Sequence, residues 1–163
     1  FVEAAQATGV AGIFYAVQHA RYGLLSEAEY RSFGRAYDLR ILDVAQSSWL
    51  NVLHLHGVGV MFDLVAEYPV GVLNWHDRET GISLKDGLQR FSGAVCGGLA
   101  RHTTIMRGAR DEVSAEAQDA LAQTGGHRFV LGTGCVVPVV APWGNVAAVR
   151  SAVERVVKEG RDG

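Results

Sequence analysis

The chain reads NVLHLHGVGVMFDLVAEYPVGVLNW over residues 51–75, and this stretch decides the fold. Residues 51–56 and 70–75 are short runs rich in Val and Leu, which predict two β-strands. Residues 60–68 have the character of a short helix, and it is expected to stop near Pro69 because the residue before a proline disfavours helical geometry. A strand, a helix and a strand in this order predict a βαβ unit with parallel strands.

The same alternation extends over the whole chain. The predicted strands cover residues 12–17, 51–56, 70–75, 93–98 and 127–131. The predicted helices begin at a capping box at Ser26, at residue 60, at Ser83, at Val113 and at Asn145 as N-cap, the last running to about Lys158 before a frayed tail. A complete (β/α)8 barrel has eight such units in about 250 residues. Five units in 163 residues therefore predict an α/β domain that forms the C-terminal portion of a (β/α)8 TIM barrel.

The composition excludes several functional classes. The net charge of −2 leaves no basic surface for nucleic acid, and no apolar run has the roughly 18–20 residues that cross a bilayer. Cys96 and Cys135 form neither a CxxC motif nor a disulfide framework, and no signal peptide is visible, so we expect a cytoplasmic protein. The chain begins with Phe, and we expect residues 1–163 to be one partial barrel domain, truncated at its N-terminus.

Two histidines and one cysteine have the residue types of a metal site. His54 and His56 point to the same face of their strand, because side chains alternate with a period of two. Cys135 follows the last predicted strand, so it shares the carboxyl edge of the sheet with them. Two imidazoles and a thiolate are zinc ligands, and three protein ligands leave a fourth position open for catalysis. The alternative is two hydrogen-bonded strand histidines and a small buried cysteine.

Four motifs in series resemble the uroporphyrinogen decarboxylase superfamily. They are Val-Leu-His-Leu-His-Gly at 52–57, Gly-Val-Leu-Asn-Trp-His-Asp at 71–77, Ala-Val-Cys-Gly-Gly-Leu at 94–99 and Phe-Val-Leu-Gly-Thr-Gly-Cys-Val-Val-Pro at 129–138. Leu-Asn-Trp is similar to the family's Leu-Asp-Trp, and Gly-Gly-Leu to its Gly-Asn-Leu. The resemblance covers nearly the whole chain and corresponds to about strands 4–8 of the family's barrel.

The resemblance implies one of two chemistries. The family's decarboxylases remove the acetate carboxyl groups of uroporphyrinogen III without a cofactor and carry Leu-Gly-His-Gly after the last strand. Thr133 stands here in place of that histidine. The family's methyltransferases use zinc, held by a His-x-Cys and a Gly-Cys, to move a methyl group from a corrinoid protein to a thiol. This chain has His54-x-His56 and Gly134-Cys135, so one cysteine ligand is replaced by histidine.

The resemblance therefore favours the zinc-dependent methyltransferase branch, with zinc on His54, His56 and Cys135 and a corrinoid protein as partner. The alternative is a decarboxylase acting on uroporphyrinogen III or a related tetrapyrrole, with no cofactor. A third interpretation is an inactive barrel fragment with two open sheet edges. Homodimers are frequent among the family's decarboxylases, so the resemblance also allows a homodimer here.

Three further residues are predicted to contribute to catalysis from the barrel mouth. His19 follows the first strand, Asp77 follows the third strand, and Arg101 follows the fourth strand, where it would bind an anionic substrate group. An ordinary loop position is the alternative for His19 and Arg101, and turn chemistry is the alternative for Asp77.

Other polar and aromatic residues receive mainly structural interpretations. Asn74, His76 or Asp77 would orient a ligating imidazole, with a solvated His76 as the alternative. Cys96 is expected to pack inside the fold. The helical spacing of three aromatic residues predicts that they are core: Tyr30, Phe33 and Tyr37.

Overall fold

The computed structural model describes residues 1–159, and the side chains of its last helix are described as far as Glu154. Five parallel strands form one sheet in the order of the chain. Their bounds are β1 Phe14–Val17, β2 Val52–Leu55, β3 Val72–Trp75, β4 Ala94–Leu99 and β5 Phe129–Thr133. Neighbours in sequence are thus neighbours in the sheet, as in one wall of a β/α barrel. The C-terminal tail predicted to fray extends into residues 160–163, which lie outside the described residues.

Helices connect the strands. Their bounds are α1 Val2–Gln6, α2 Glu27–Tyr30, α3 Ala36–Ala45, α4 Phe62–Ala66, α5 Leu84–Arg90, α6 Arg110–Thr124 and α7 Trp143–Glu159, with π-helical segments at Arg31–Arg35 and Arg101–Ile105. The predicted capping box is present, because the Ser26 hydroxyl accepts from the Glu29 amide while the Glu29 carboxylate accepts from the Ser26 amide. Gly125 ends α6 in the left-handed conformation that favours glycine. None of the helices described is long and apolar enough to cross a membrane.

The two faces of the sheet have opposite character. One face packs against the helices and supplies the core, with Leu53, Leu73 and Val95 fully buried. The register places a second row of side chains on the other face: His54, Asn74, Cys96 and Val130. This inner face is partly open, since Phe14 is 65% exposed and Val130 is 46% exposed. The polar chemistry therefore lies on the face that the helices leave uncovered.

Three predictions about local structure are wrong. Asn145 is not a helix cap, because α7 begins at Trp143; its buried amide instead donates to the carbonyls of Ile105 and Gly108. Among the three aromatics predicted as core, Tyr30 is buried, but Phe33 is 72% and Tyr37 is 58% exposed. Phe33 and Tyr37 instead line an open cavity beside the edge strand β1.

A buried carboxylate joins β1 to the helices beside it. Asp38 accepts hydrogen bonds from three phenols: Tyr15, Tyr30 and Tyr68, with oxygen–oxygen distances of 2.6 Å for Tyr15 and 2.8 Å for Tyr68. Burial, followed by the Asp38 carboxylate, raises the pKa of Tyr15 and of Tyr30, so both phenols stay protonated donors. The cluster ties β1 to α3 and to the turn that follows α4.

We expect Asp38→Ala to lower the free energy of unfolding by roughly 3 kcal/mol, because it leaves buried phenol hydroxyls without an acceptor. Urea unfolding of the full-length protein measures this difference. The control is Glu67→Ala, which removes an exposed carboxylate paired with Arg35 and should cost less than about 1 kcal/mol. Equal losses for the two variants would contradict a structural role for the Asp38 cluster.

Candidate metal centre

Asn74 determines which nitrogen of His54 is free to bind a ligand. The Asn74 amide NH2 donates to the carbonyls of Cys96, at 2.8 Å, and Thr133, at 3.1 Å. Because both partners are acceptors, the amide nitrogen must face them, and Oδ1 faces His54 Nδ1 at 2.6 Å. An amide oxygen only accepts, so His54 Nδ1 carries the proton. His54 Nε2 is therefore left with a bare lone pair.

A carboxylate fixes His76 in the same way. Its Nδ1 lies 3.1 Å from Glu79 Oε2, which accepts the Nδ1 proton. The other ring nitrogen, Nε2, is buried and has no hydrogen-bond partner among the described residues. The expectation of a solvated His76 is wrong, since the residue is only 3% exposed. A carboxylate behind an imidazole with a free second nitrogen is the usual support of a metal-ligating histidine.

Cys135 reaches the histidines because Gly134 lets its loop approach β3 closely. A Cβ at position 134 would lie 2.6 Å from the Trp75 carbonyl oxygen and 2.8 Å from the His76 Cα, so a larger residue would displace the loop. Thr133 helps to shape this turn, since its hydroxyl donates to the Cys135 carbonyl. The residue that replaces the decarboxylase histidine thus contributes to the geometry of the thiol.

The donor atoms converge, and two of their distances are close to those around a tetrahedral metal. His54, His56, His76 and Cys135 each offer one ligand atom, and these atoms lie within 4.8 Å of one another. His54 Nε2 and His56 Nδ1 are 3.4 Å apart, and His56 Nδ1 and Cys135 Sγ are 3.8 Å apart. Zinc–ligand bond lengths imply about 3.3 Å between two nitrogens and about 3.6 Å between nitrogen and sulfur. The residues present therefore fit a zinc ion, and we call these four residues the donor cluster.

The electrostatics of the site favour neutral imidazoles at His54 and His56. Burial lowers the pKa of His54 below its ordinary value, and neighbouring positive charge lowers it further. The pKa of His56 is lowered by burial first, and then by His76, Arg101 and Arg21. Neutral imidazole is the form that ligates a metal, so both rings are competent ligands at neutral pH.

The structure places Asp77 behind the donor cluster rather than in it. Its Oδ2 accepts from the Gly98 amide at 3.0 Å, while its buried Oδ1 has no hydrogen-bond partner within residues 1–159. Arg78 lies beside it and donates to the Gly98 carbonyl and to Asp119. Burial raises the pKa of Asp77 to about 6. These contacts attach the loop that carries His76 to β4 and α6.

His19 and Arg101 occupy different positions at the mouth. His19 is exposed and lines a separate cavity of about 510 Å³ between β1 and the helices, together with Tyr30 and Phe33. It contributes no atom to the donor cluster. Arg101 lies close to the donor cluster, since its charge lowers the pKa values of His54 and His56. The catalytic roles predicted for His19, Asp77 and Arg101 stay predictions.

Cys96 lies in the row of inward-facing side chains but outside the donor cluster. Burial raises the pKa of its thiol to about 11, so it stays protonated and unreactive at neutral pH. A Cβ at Gly132 would lie 3.2 Å from its sulfur, which places the thiol against β5. These contacts agree with the packing role expected for it.

His76 was not predicted as a donor from the sequence. The signal for it was present, because residues 74 and 76 share a face by the same period of two that pairs residues 54 and 56. His76 lies one residue beyond the end of β3, and its burial depends on packing that the local sequence does not reveal.

Comparisons with known proteins agree with this fold. The family model described as Uroporphyrinogen decarboxylase (URO-D) matches residues 1–156. Among solved structures, the chain is similar to a methyltransferase from Methanosarcina mazei, with a TM-score of 0.82 and 24% sequence identity. That match covers 96% of this chain and 45% of the other, so the five strands correspond to part of a larger barrel, as predicted. The search of curated proteins gives no match.

We expect Asn74→Leu to weaken zinc binding roughly 10- to 100-fold, because His54 loses the acceptor that fixes its tautomer and ring orientation. Competition with a chromophoric chelator measures zinc affinity in the folded full-length protein. The control is Asn145→Leu, which also removes a buried amide that donates to two carbonyls, but away from the donor cluster. If the two variants bind zinc equally well, Asn74 does not support a metal ligand.

We expect the Asp77 carboxyl to make stability depend on pH. Its folded pKa of about 6 lies above the ordinary value of 3.8, so its contribution is present below pH 4 and is lost as pH rises through 6. The loss amounts to about 3 kcal/mol. Unfolding free energies at pH 4 and pH 7 should therefore differ less in Asp77→Asn than in the wild type.

The control for this comparison is Asp63→Asn, which alters an exposed carboxylate beside Arg90. It should leave the fall in stability between pH 4 and pH 7 in place. An identical pH dependence in wild type and Asp77→Asn would show that Asp77 titrates normally in the folded protein.

Proposed function

The chain belongs to the uroporphyrinogen decarboxylase family, and we propose that it is a zinc-dependent methyltransferase that moves a methyl group from a corrinoid protein to a thiol. One observation carries the proposal. The open inner face of the sheet gathers three imidazoles and a thiol whose ligand atoms lie within 4.8 Å of one another. A second residue contacts Nδ1 of two of these imidazoles, which turns Nε2 toward the other donors. Decarboxylation of a pyrrole acetate does not require a set of metal ligands, whereas activation of a thiol by zinc does require one.

Three residues would bind the metal, and their neighbours orient them. His54, His56 and Cys135 would hold the zinc ion, which when bound lowers the pKa of a thiol and keeps it as a nucleophilic thiolate. Asn74 and Glu79 fix the orientation of His54 and His76. Thr133 and Gly134 hold the Cys135 turn against the end of β3.

His76 is a fourth possible ligand, which was not predicted from the sequence. Four protein ligands close a zinc site, and catalytic sites keep one position for substrate. A substrate thiol would therefore need the position that His76 would otherwise fill, which leaves His54, His56 and Cys135 to hold the ion.

Decarboxylation of uroporphyrinogen III is the competing candidate, and the family description favours it. The site offers it less support. The late histidine of the decarboxylase motif is Thr133 here, and the Thr133 hydroxyl turns back to the Cys135 carbonyl instead of facing a substrate. The matched structure is a methyltransferase, although at 24% identity this likeness supports the fold rather than the reaction.

Metal content and methyl transfer test the proposal together. We expect full-length protein from zinc-replete medium to hold close to one zinc per chain, and to transfer the methyl group of methylcobalamin to a small thiol. Cys135→Ser should reduce zinc affinity by more than the roughly 100-fold upper range for a supporting residue, and methyl transfer should fall with it. His127→Ala, which changes an exposed histidine, is the control.

Less than about a tenth of an equivalent of zinc would reject the metal centre, given how tightly such sites bind. Decarboxylation of uroporphyrinogen III by metal-free protein would favour the competing candidate. Neither metal nor either activity would favour the third interpretation, an inactive barrel fragment.

A further inference from the structure

Strand β4 extends beyond the end of its neighbour β3. The pairing of these two strands stops at Asn74 and Cys96, whereas β4 continues to Leu99. Beyond Cys96, the backbone of β4 therefore needs partners on the β3 side that are not part of a strand, because buried N–H and C=O groups are costly when unpaired.

Two consecutive side chains of the loop after β3 supply these partners. Asp77 Oδ2 accepts from the Gly98 amide at 3.0 Å. Arg78 donates to the Gly98 carbonyl from Nε, at 2.9 Å, and from Nη2, at 2.7 Å. The amide and the carbonyl of one residue of β4 are thus both bound by the same loop, which fixes the position of that loop along the strand.

Arg78 also attaches the loop to α6. Its Nη2 donates to the Glu116 carbonyl at 3.2 Å, and its Nη1 donates to Asp119 Oδ2 at 2.7 Å. Gly98 itself lies against this helix, since a Cβ at this position would be 2.5 Å from the Ala120 Cβ, and its φ of +106° favours glycine. One guanidinium group therefore binds two elements that are themselves packed closely together.

These contacts bear on the position of His76. Its carbonyl accepts from the amides of Glu79 and Thr80, each at 2.9 Å, so residues 76–80 form a compact turn. Glu79, which contacts His76 Nδ1, belongs to the same turn and orients the ring only within it. Arg78 contacts β4 and α6 instead, so it fixes the turn relative to the rest of the protein.

We propose that Arg78 is a positioning residue for the metal centre, which keeps His76 Nε2 among the donors by holding its turn against β4 and α6. The proposal rests on the proposed function, since it concerns the fourth position of that site. A guanidinium group has no acceptor atom and is not a metal ligand, so Arg78 acts through the position of His76.

This role makes metal binding and thiol binding respond in opposite directions. Loss of Arg78 frees the turn, which weakens the contribution of His76 to metal binding. The same loss removes a competitor for the fourth position, which a thiol then occupies more readily. A general loosening of the site would weaken both.

The test uses full-length protein loaded with Co²⁺ in place of zinc, whose absorption spectrum reports the number and type of its ligands independently of activity. Arg78→Gln should lower Co²⁺ affinity roughly 10- to 100-fold, the range for a residue that supports a ligand. Its spectrum should approach that of His76→Ala, which serves as the reference for a site without this imidazole.

Titration with 2-mercaptoethanol measures the fourth position. This neutral thiol should bind cobalt-loaded Arg78→Gln about tenfold more tightly than the wild type, because apparent affinity rises with the fraction of protein whose position is open. His76→Ala should show a gain of the same sign.

Arg128→Gln is the matched control. The Arg128 guanidinium also binds backbone carbonyls, those of Leu88, Phe91, Ser92 and Gly93, but before the amino end of β5 and away from the donor cluster. This variant should leave the cobalt spectrum and the thiol affinity unchanged. Arg78→Lys keeps the charge beside Asp119 but lacks the planar fork of donors, so it should change in the direction of Arg78→Gln. It replaces that variant if Arg78→Gln does not fold.

The outcomes separate this proposal from the proposed function. A wild-type spectrum and thiol affinity in the Arg78 variant that folds overturn the positioning role and leave the proposed function standing. Weaker binding of both cobalt and thiol also overturns it, since that result indicates a general loosening. A His76→Ala spectrum identical to the wild type shows that His76 is not a ligand and overturns it as well. Wild-type protein that binds no metal overturns the proposed function, and this proposal with it.

Discussion

The arrangement of the donor cluster depends on one side-chain amide. Asn74 lies on β3 in the row that contains His54 on β2 and Cys96 on β4, and its NH2 group donates to carbonyls on β4 and β5. These two donations leave its oxygen one task, which is to accept from His54 Nδ1. A carboxylate at this position could not donate to the two carbonyls. The amide therefore couples the packing of four strands to the protonation state of one imidazole.

The sheet makes this coupling possible because one face packs against the helices and the other carries the polar side chains. Leu53, Leu73 and Trp75 bury the outer face against helices and hold β2 and β3 in register. Register then fixes the inner row, since neighbouring parallel strands present paired residues on the same face. Two close approaches complete the site: Gly134 against the end of β3, and Asp77 against Gly97 and Gly98. The first approach positions Cys135, and the second positions the loop that carries His76.

Much of this arrangement is predictable from the sequence, and the rest depends on distant contacts. The period of two paired His54 with His56, and alternation of strands and helices placed Cys135 at the same edge. The same period pairs Asn74 with His76, but the burial of His76 depends on the loop of Gly134, which lies 58 residues away in sequence. Helical spacing predicted Phe33 and Tyr37 as core, but both are exposed. Spacing shows that residues share one face of a helix, and it does not show whether another element packs on that face.

The charges of the site follow from these same contacts. A zinc ion on three neutral imidazoles and one thiolate carries a net positive charge, and the guanidinium groups of Arg21 and Arg101 add to that charge. Glu79 compensates part of that charge, since its Oε2 accepts from His76 and its Oε1 lies 3.8 Å from Arg101 Nε. One carboxylate therefore fixes the orientation of His76 and also lies beside the positive charge of Arg101.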